Sequence, residues 1–429
     1  MVLELNPDLA EAIAGHHDVE PAGRAAKLAK IADRLSMKEG ETEISATLSP
    51  PWEPLSALLT CQPLAPTASV RRRVRLQPLP LQSGDILPDL LSADSPVDYD
   101  KLWKQFKNEF ADFAEENVFA SAEMTTILSL LHKYTSSMPA ETATHQQNLA
   151  APFDISLYMH LKTTAAIAAC LHDNLSDDEI DALWRDDTAP SQRGLFALVK
   201  GDISGTQDFL YLLTSSGAAR GLRARSFYLQ LLTETIARWI LRKAELSEIN
   251  LLFAGGGHFY VLWPYSKTAE YIDEWRQKIS ATLWQAHRGD LYLNLGLVRI
   301  TPDDFEENEA GGESQFAQKW SEVTRQMASH KQRKWLELGA ENMQDYFFAP
   351  QEKGGTKEIC DVCHFEGKMV FEKESETGKC ERCREFEKLG KELRAPQYMI
   401  TISRALARFI RFSRRIAKES WIWRATAAI

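Results

Sequence analysis

The chain has 429 residues, of which 44% are hydrophobic and 26% are charged, and its formal net charge is −10 at pH 7. These values are typical of a globular chain of two to three domains, and the acidic balance argues against indiscriminate binding to nucleic acid. No apolar run is long enough to cross a membrane, and the acidic N-terminus does not resemble a signal peptide. We therefore expect a cytoplasmic protein that makes no membrane contact.

Residues 46–150 are predicted to form a connector followed by a helical layer. The stretch 45–100 holds about half of the prolines of the chain, which is typical of an irregular connector. From Tyr99 to Tyr134, apolar residues then recur at helical spacing, as at Leu102, Phe106 and Phe110.

Residues 151–345 are predicted to form a domain that mixes strands and helices. The predicted elements are a buried strand at 195–200, an amphipathic helix at 218–246, strands at 250–254 and 258–263, a helix at 271–286 and a strand at 291–300. This order is that of the ferredoxin-like split βαβ motif, the plan of polymerase and cyclase palm domains. The predicted fold class is therefore α+β with a palm domain at its centre.

Two segments at one end of this predicted sheet carry the candidate chemistry. The first ends a strand in carboxylates and reads Gly201-Asp202-Ile203-Ser204-Gly205-Thr206-Gln207-Asp208. The second is a turn between two strands and reads Gly255-Gly256-Gly257-His258. A catalytic palm needs carboxylates at both places, because they hold a divalent cation that bridges nucleotide phosphates. The turn has no carboxylate, so structural roles for Asp202 and for the glycines stay open.

Four of the six cysteines form two matched pairs, Cys360-x-x-Cys363 and Cys380-x-x-Cys383, with sixteen residues between the pairs. Such pairs give the tetrahedral thiolate ligation of a structural zinc ribbon, predicted here over residues 346–395, and a redox pair is the alternative. Four thiolates leave no open position for water, so we expect Zn to serve folding. Cys61 and Cys170 are interpreted as a surface thiol and a core residue, and free thiols suit a reducing cytoplasm.

Positive charge is concentrated in three places of this acidic chain. They are the cluster from Arg71 to Arg75, the set Arg220, Arg223 and Arg225 beside the predicted palm, and a basic C-terminal helix at 396–429. Such clusters can contact phosphate groups or an acidic partner, and the arginines beside the palm could supply positive charge to a bound ligand. A solvated helix face is the alternative interpretation for each cluster.

Several stretches resemble one known family. Residues 201–211, 217–228 and 252–262 look like the first palm of the Cas-ten large subunit of type III CRISPR effector complexes, and the Csm branch (subtype III-A) fits best. The run Asp154-Ile155-Ser156-Leu157-Tyr158, with His160 and residues 162–168, is also similar to that family, and the resemblance covers roughly residues 15–395. It implies a subunit that surveys target RNA, makes cyclic oligoadenylate from ATP and cleaves single-stranded DNA when target RNA is bound.

The resemblance also implies parts that this sequence lacks, so the chain is expected to be truncated at both ends. His16-His17-Asp18 and residues 29–36 resemble the closing portion of the family's HD nuclease domain, and residues 1–45 are interpreted as its remnant. His172-Asp173 is not the missing portion, because Ser176 and Glu179 form a capping-box signature that begins a new helix there. The family continues into a second palm with a Gly-Gly-Asp-Asp hairpin, which is absent from this sequence, and residues 396–429 are expected to begin that palm.

The resemblance and the predicted fold together imply a nucleotide-binding site for ATP with Mg or Mn. Phosphates are expected near the backbone of Ser204 and Gly205, with Asp202 as the candidate metal contact. The candidate nucleotide-binding residues are Asp202, Ser204, Gly205, Gln207, Asp208, Gly255, Gly256, Gly257 and His258. No residue is assigned a catalytic role, since the carboxylates of both family activities are missing from the sequence.

The leading hypothesis is a scaffold and nucleotide-binding part of a type III-A complex. Its expected partners are the other type III CRISPR effector subunits, CRISPR RNA and target RNA. One alternative is an autonomous nucleotidyl cyclase or polymerase, which the absent hairpin carboxylates disfavour. The other is a nucleic-acid-binding zinc protein without nucleotide chemistry.

Overall fold

The structure is a computed structural model, and it describes most of the chain from the first helix to the cysteine-rich region. The residues that it describes are 23–37, 75–79, 98–116, 123–140, 155–185, 192–214, 217–267, 271–305, 315–342, 344–348, 355, 357–371 and 377–394. Within these ranges, no helix combines the length and the apolar character needed to cross a membrane.

Five described helices precede the sheet. They are α1 (Gly23–Met37), α2 (Tyr99–Glu116), α3 (Glu123–Thr135), α4 (Leu157–Asn174) and α5 (Asp177–Trp184). The predicted helical layer is thus two helices, α2 and α3, which pack through Leu102, Leu130 and Tyr134. The predicted capping box is confirmed: the side chains of Ser176 and Glu179 each bond the other's backbone, and α5 begins there.

A four-stranded antiparallel sheet lies at the centre of the described structure. Its strands are β1 (Phe196–Ser204), β2 (Leu251–Gly255), β3 (His258–Pro264) and β4 (Tyr292–Ile300), in the spatial order β2-β3-β1-β4. Asp202 of β1 therefore lies opposite His258 on one side and opposite Asn294 on the other. The predicted order of strands and helices along the chain is confirmed, and the bounds shift by only a few residues.

Three helices cover one face of the sheet. They are α6 (Thr206–Tyr211), α7 (Ala218–Lys243) and α8 (Ile272–His287). Alternate residues of β1, such as Val199 and Ile203, join Ile236 of α7 and Ile279 of α8 in one buried cluster. The alternation follows from the two-residue period of a strand, which sends neighbouring side chains to opposite faces.

The opposite face is covered by α1, α4, α5 and α9 (Gln315–Lys331). Leu198 of β1 joins Ile31 of α1, Ile167 of α4 and Val323 of α9 in a second buried cluster. Polar contacts reinforce this layer, since the His160 imidazole lies 2.9 Å from the Asp33 carboxylate. Helix α9 runs across β4, and its last residue, Lys331, reaches the end of the sheet at which β1 stops.

The cysteine-rich region forms a small unit that we call the cysteine ribbon, residues 357–371 and 377–394. It contains two short hairpins and a helix, namely β5 (Glu358–Ile359), β6 (Glu366–Gly367), β7 (Val370–Phe371), β8 (Gly378–Lys379) and α10 (Glu381–Glu392). Helix α10 packs along α7, and the Arg223 guanidinium donates to the Gly390 carbonyl at 2.7 Å. The ribbon therefore packs directly on α7, a helix that covers the sheet.

Candidate functional site

The end of the sheet at which β1 stops brings the two predicted segments together. We call this region the sheet tip and define it as residues 202–208, residues 255–258 and Lys331. The Ile203 amide donates to the Gly257 carbonyl at 2.9 Å, and His258 pairs with Asp202 across the β1–β3 ladder. The glycine turn and the end of β1 are thus neighbours, although a long helix separates them in sequence.

Asp202 already contacts two nitrogen-bearing side chains, the Lys331 ammonium and the His258 imidazole. Its carboxylate lies 2.5 Å from Lys331 Nζ and 3.1 Å from His258 Nδ1, and Asp202 itself is only 8% exposed. The side chains of His258 and Lys331 are nearly half exposed, at 47% and 46%. The half-exposed Lys331 ammonium and His258 imidazole above the buried Asp202 give the sheet tip a surface that can receive an anion.

The loop after β1 is held in one conformation by close backbone packing. Gly205 has a φ of +86°, and a Cβ built on it would lie 1.9 Å from the Asp290 carbonyl oxygen, so this position requires glycine. The Ser204 hydroxyl is buried and has no hydrogen-bond partner among the described residues. Gln207 and Asp208 follow on the exposed side of α6.

Asn294 is a polar residue of this region that sequence reasoning missed. It is fully buried opposite Asp202 in β4, and its Nδ2 donates to the Met327 carbonyl at 2.8 Å. Its Oδ1 has no partner within the described part of the chain. An asparagine in an otherwise apolar strand was the available signal, since such a residue must be satisfied by a partner when buried.

Lys331 was also missed by sequence reasoning. Nothing in its local sequence separates it from the other charged residues of α9. Only the path of α9 across β4 places this lysine beside Asp202. The neighbouring His330 is partly buried, and its Nδ1 lies 3.3 Å from the Leu295 carbonyl oxygen.

The second candidate site is the four-cysteine cluster of the ribbon. The sulfur atoms of Cys360, Cys363, Cys380 and Cys383 all lie within 4.8 Å of one another, which is a set that can hold a metal ion. Cys363 Sγ and Cys380 Sγ are 3.6 Å apart. Contacts among these sulfur atoms lower the pKa of Cys380 and raise the pKa of Cys363 and of Cys383, so one thiolate is shared by neighbouring thiols. Cys170 lies in the core as predicted, and burial raises its pKa.

Two arginines of α7, Arg223 and Arg225, contact the ribbon. Arg225 is 3% exposed, and its guanidinium donates to Cys383 Sγ at 3.7 Å and to the Phe209 carbonyl at 3.1 Å. Arg223 donates to Gly390 of α10. The ribbon engages both Arg223 and Arg225, and the supply of positive charge to a ligand by these arginines stays a prediction.

The buried His287 also lies at the contact between the ribbon and the helices of the sheet. Arg382, between the last two cysteines, donates to His287 Nδ1 at 2.7 Å, and the Tyr228 hydroxyl lies 2.9 Å from His287 Nε2. Arginine can only donate, so Nδ1 is the acceptor and Nε2 carries the proton. Burial, together with the charges of Arg382 and Arg225, lowers the pKa of His287 to about 3, so the ring is neutral near pH 7.

Some of the predicted features lie outside the described residues. These are His16-His17-Asp18, Cys61, the arginines at 71–73 and the basic segment at 396–429. The His172-Asp173 pair is described, and it does not form part of a larger acidic or histidine cluster within the described residues. Asp173 is instead bonded to Lys267 at 2.6 Å.

Comparison with known proteins places this architecture in one group. Residues 195–349 match the family described as Csm1 subunit domain B. The chain is 30% identical over 330 residues to the "CRISPR system single-strand-specific deoxyribonuclease Cas10/Csm1 (subtype III-A)" of Methanocaldococcus jannaschii, covering 70% of this chain and 40% of that protein. The protein of the same name from Streptococcus thermophilus is 29% identical over 317 residues, covering 73% and 39%.

A solved structure agrees with these sequence matches. The crystal structure of a Csm1–Csm4 cassette in complex with one ATP superposes with a TM-score of 0.55 at 23% identity, covering 73% of this chain and 38% of that one. This chain therefore spans about two fifths of the length of the curated relatives that it matches. By sequence, the chain is similar to the Cas10/Csm1 proteins of CRISPR subtype III-A, and its fold is similar to that of a solved Csm1 structure.

Proposed function

We propose that the sheet with α6, α7 and α8 is a ferredoxin-like palm, and that the chain is the scaffold and nucleotide-binding part of a type III-A effector complex. The family relationship supports the assignment to such a complex. The strand order β2-β3-β1-β4, with α7 before β2 and α8 before β4, supports the palm, since it is the arrangement of the split βαβ motif. In this proposal the palm spans residues 151–345 and the ribbon residues 346–395.

The nucleotide site that we propose lies at the sheet tip. The observation that carries it is the Lys331 ammonium and the His258 imidazole, both nearly half exposed, beside the Ser204 hydroxyl, which has no hydrogen-bond partner among the described residues. Phosphates of ATP would contact these two side chains and the backbone of Ser204 and Gly205, with Gln207 and Asp208 at the side and the turn 255–258 opposite. Charge-assisted hydrogen bonds of this kind are the strong ones in phosphate recognition.

Asp202 has a conditional role in this proposal. Its carboxylate is occupied by Lys331 at 2.5 Å, so it can contact Mg or Mn only after a phosphate has drawn Lys331 away. The β2–β3 turn, Gly-Gly-Gly-His, supplies no second carboxylate. We therefore assign nucleotide binding to the sheet tip. We assign neither cyclic oligoadenylate synthesis nor cleavage of single-stranded DNA to any described residue.

We further propose that the four cysteines hold a structural zinc ion. A tetrahedral zinc with Zn–S bonds of about 2.3 Å separates its sulfur atoms by roughly 3.8 Å, and the Cys363–Cys380 distance of 3.6 Å is close to this value. Three of the four cysteines are buried, so the cluster is closed to substrate. Zinc would thus fold the ribbon and fix α10 against α7.

The partners proposed for the chain follow from its relatives. The similar solved structure pairs Csm1 with Csm4, so we propose that a Csm4-type subunit, CRISPR RNA and target RNA assemble with this chain in the cytoplasm. The similarity of the sheet supports the scaffold role, because the shared fold covers most of the described chain.

The test of this function is ATP binding and turnover by the chain, alone and reconstituted with partner subunits and a matched target RNA. Lys331→Ala should weaken ATP binding roughly tenfold, because a charge-assisted contact is lost. Lys319→Ala is the matched control, since Lys319 lies on the same helix but bonds Asp304 instead. Equal ATP affinity of the Lys331→Ala and wild-type proteins would contradict the nucleotide site, and failure to co-purify with any effector subunit would contradict the scaffold.

A further inference from the structure

The Arg225 guanidinium joins the cysteine cluster to the helix that follows β1. One of its nitrogens donates to Cys383 Sγ at 3.7 Å, and the other donates to the Phe209 carbonyl of α6 at 3.1 Å. The guanidinium also lies between two aromatic rings, 4.8 Å from the centroid of Phe209 and 4.9 Å from that of Phe386. A single side chain thus touches a cysteine of the cluster, a helix of the ribbon and a helix of the sheet tip.

The charge of Arg225 requires a compensating anion. The side chain is 3% exposed, and a buried cation is costly unless it is paired. Within the described ranges, no carboxylate lies within ion-pair distance of it, and the Asp290 carboxylate acts on it only from a longer distance. Its polar contacts are the Cys383 sulfur and the Phe209 carbonyl. Four thiolates around a divalent ion carry a net negative charge, so a metal-loaded cluster would present an anion to Arg225 through a Cys383 sulfur that coordination holds in place.

Helix α6 depends on contacts with other elements for its position. It spans Thr206–Tyr211, which is too short to be stable as an isolated helix. Its start is fixed by Gly205, whose carbonyl accepts from the Phe209 amide at 3.0 Å. Its later part is held by the burial of Phe209 and by the bond from Arg225. The same helix carries Gln207 and Asp208 of the sheet tip.

We propose that Arg225 is a positioning residue that couples metal occupancy of the cysteine cluster to the placement of α6. In the metal-loaded protein, the thiolate of Cys383 holds the guanidinium, and the guanidinium holds the Phe209 carbonyl. Loss of the metal releases Cys383 from coordination, so its sulfur no longer holds the guanidinium in place, both contacts weaken and α6 loosens. The inference rests on the proposed metal at the four cysteines and adds a consequence for the sheet tip, which is 
otherwise separate from the ribbon.

Hydrogen exchange of peptides that cover residues 205–214 tests this coupling in the full chain. Removal of the metal by a chelator should raise exchange in these peptides roughly tenfold, since the opening equilibrium changes tenfold for about 1.4 kcal/mol. In Arg225→Met, exchange should already be raised with the metal bound, and the chelator should add little. Arg223→Met is the matched control, because Arg223 also bonds the ribbon but touches neither a thiolate nor α6.

Arg225→Lys separates charge from geometry and also covers the case in which Arg225→Met fails to fold. Lysine keeps the charge, so the rate of metal release to a chromogenic chelator should stay within roughly twofold of wild type. It lacks the planar fork that reaches both partners, so exchange in 205–214 should rise. Metal release from Arg225→Lys that is as fast as from Arg225→Met, or unchanged exchange in either variant, would overturn the inference.

The failure of the inference can be told apart from the failure of the proposed metal site. Metal content of the purified wild-type chain, measured by elemental analysis, reports on the site alone. Absence of bound metal would overturn both. Bound metal together with unchanged exchange of 205–214 after chelation would overturn the coupling and leave the metal site intact.

Discussion

The cysteine ribbon and the sheet tip differ in how far apart in the sequence their interacting residues lie. The four cysteines of the ribbon fall within 24 residues, in two pairs with regular spacing. The contacts of the sheet tip join Asp202 with His258 and with Lys331, which belong to three separate elements. The first site is encoded locally, and the second exists only after β1, β3 and α9 have come together.

This difference has a consequence for how each site responds to change. A local set of metal ligands can lose its function through one substitution, because each ligand is indispensable to tetrahedral coordination. A site assembled from distant elements depends on the geometry of the sheet, so substitutions that deform the backbone matter as much as those that remove a charge. The predictions below test this contrast, beginning with the ribbon.

The largest effect is expected from loss of a cysteine ligand. Cys380→Ser should abolish bound metal and unfold the ribbon, because metal binding in structural zinc sites supplies roughly 10–16 kcal/mol toward folding. The measurement is metal content by elemental analysis, together with hydrogen exchange of residues 377–394. Cys170→Ala is the control, since this buried cysteine lies in the core under the sheet and outside the cluster. Full metal content in Cys380→Ser would exclude a four-thiolate site.

The sheet tip should respond most strongly to a backbone change at Gly205. Gly205→Ala should lower the free energy of unfolding by more than about 2 kcal/mol, because left-handed strain adds to a clash with the Asp290 carbonyl. Gly256→Ala should cost only about 1 kcal/mol, since its φ is +60° but nothing lies within 4 Å of the added methyl group. Urea unfolding of the two variants measures this difference, and equal costs would mean that the loop after β1 relaxes freely.

Much of the fold could be predicted from the sequence, because strands and helices follow from short-range hydrophobic patterns. The apolar runs and the glycine turn identify β1 to β4, and the capping box at Ser176 marks the start of α5. The short helix α6 was not predicted, since its six residues carry no clear periodicity. Its position comes from the burial of Phe209 against α7 and α10, which no local pattern reports.

The candidate sites were predictable to different degrees for the same reason. Cysteine spacing identifies all four members of the cluster. At the sheet tip, the motif identifies Asp202 and the glycines, but neither Lys331 nor Asn294, whose roles arise from long-range packing. The contact of Arg225 with Cys383 was also not predicted, because it depends on how the ribbon packs on α7. A helix sequence shows which residues share a face, but the fold decides what that face contacts.

The smallest effect is expected at the contact between the ribbon and α8, where His287 lies between Tyr228 and Arg382. The pKa of His287 is lowered to about 3 in the folded chain, and an unfolded histidine has a pKa of about 6.5. Between these values the unfolded chain binds a proton that the folded chain does not, so stability falls as the pH falls below 6.5. From pH 7.5 to pH 5.0, this residue should contribute a loss of roughly 2 kcal/mol in the free energy of unfolding.

His287→Gln isolates this contribution, because glutamine can accept from Arg382 and donate to Tyr228 but does not titrate. The cysteine cluster also responds to acid, but it is common to both proteins, so the difference between their pH profiles reports on His287 alone. If the free energy of unfolding of the variant falls less steeply with acid, the neutral His287 ring stabilises the contact between the ribbon and α8. Identical profiles would mean that His287 becomes exposed before the chain unfolds, and that the ribbon separates from α8 as an independent unit.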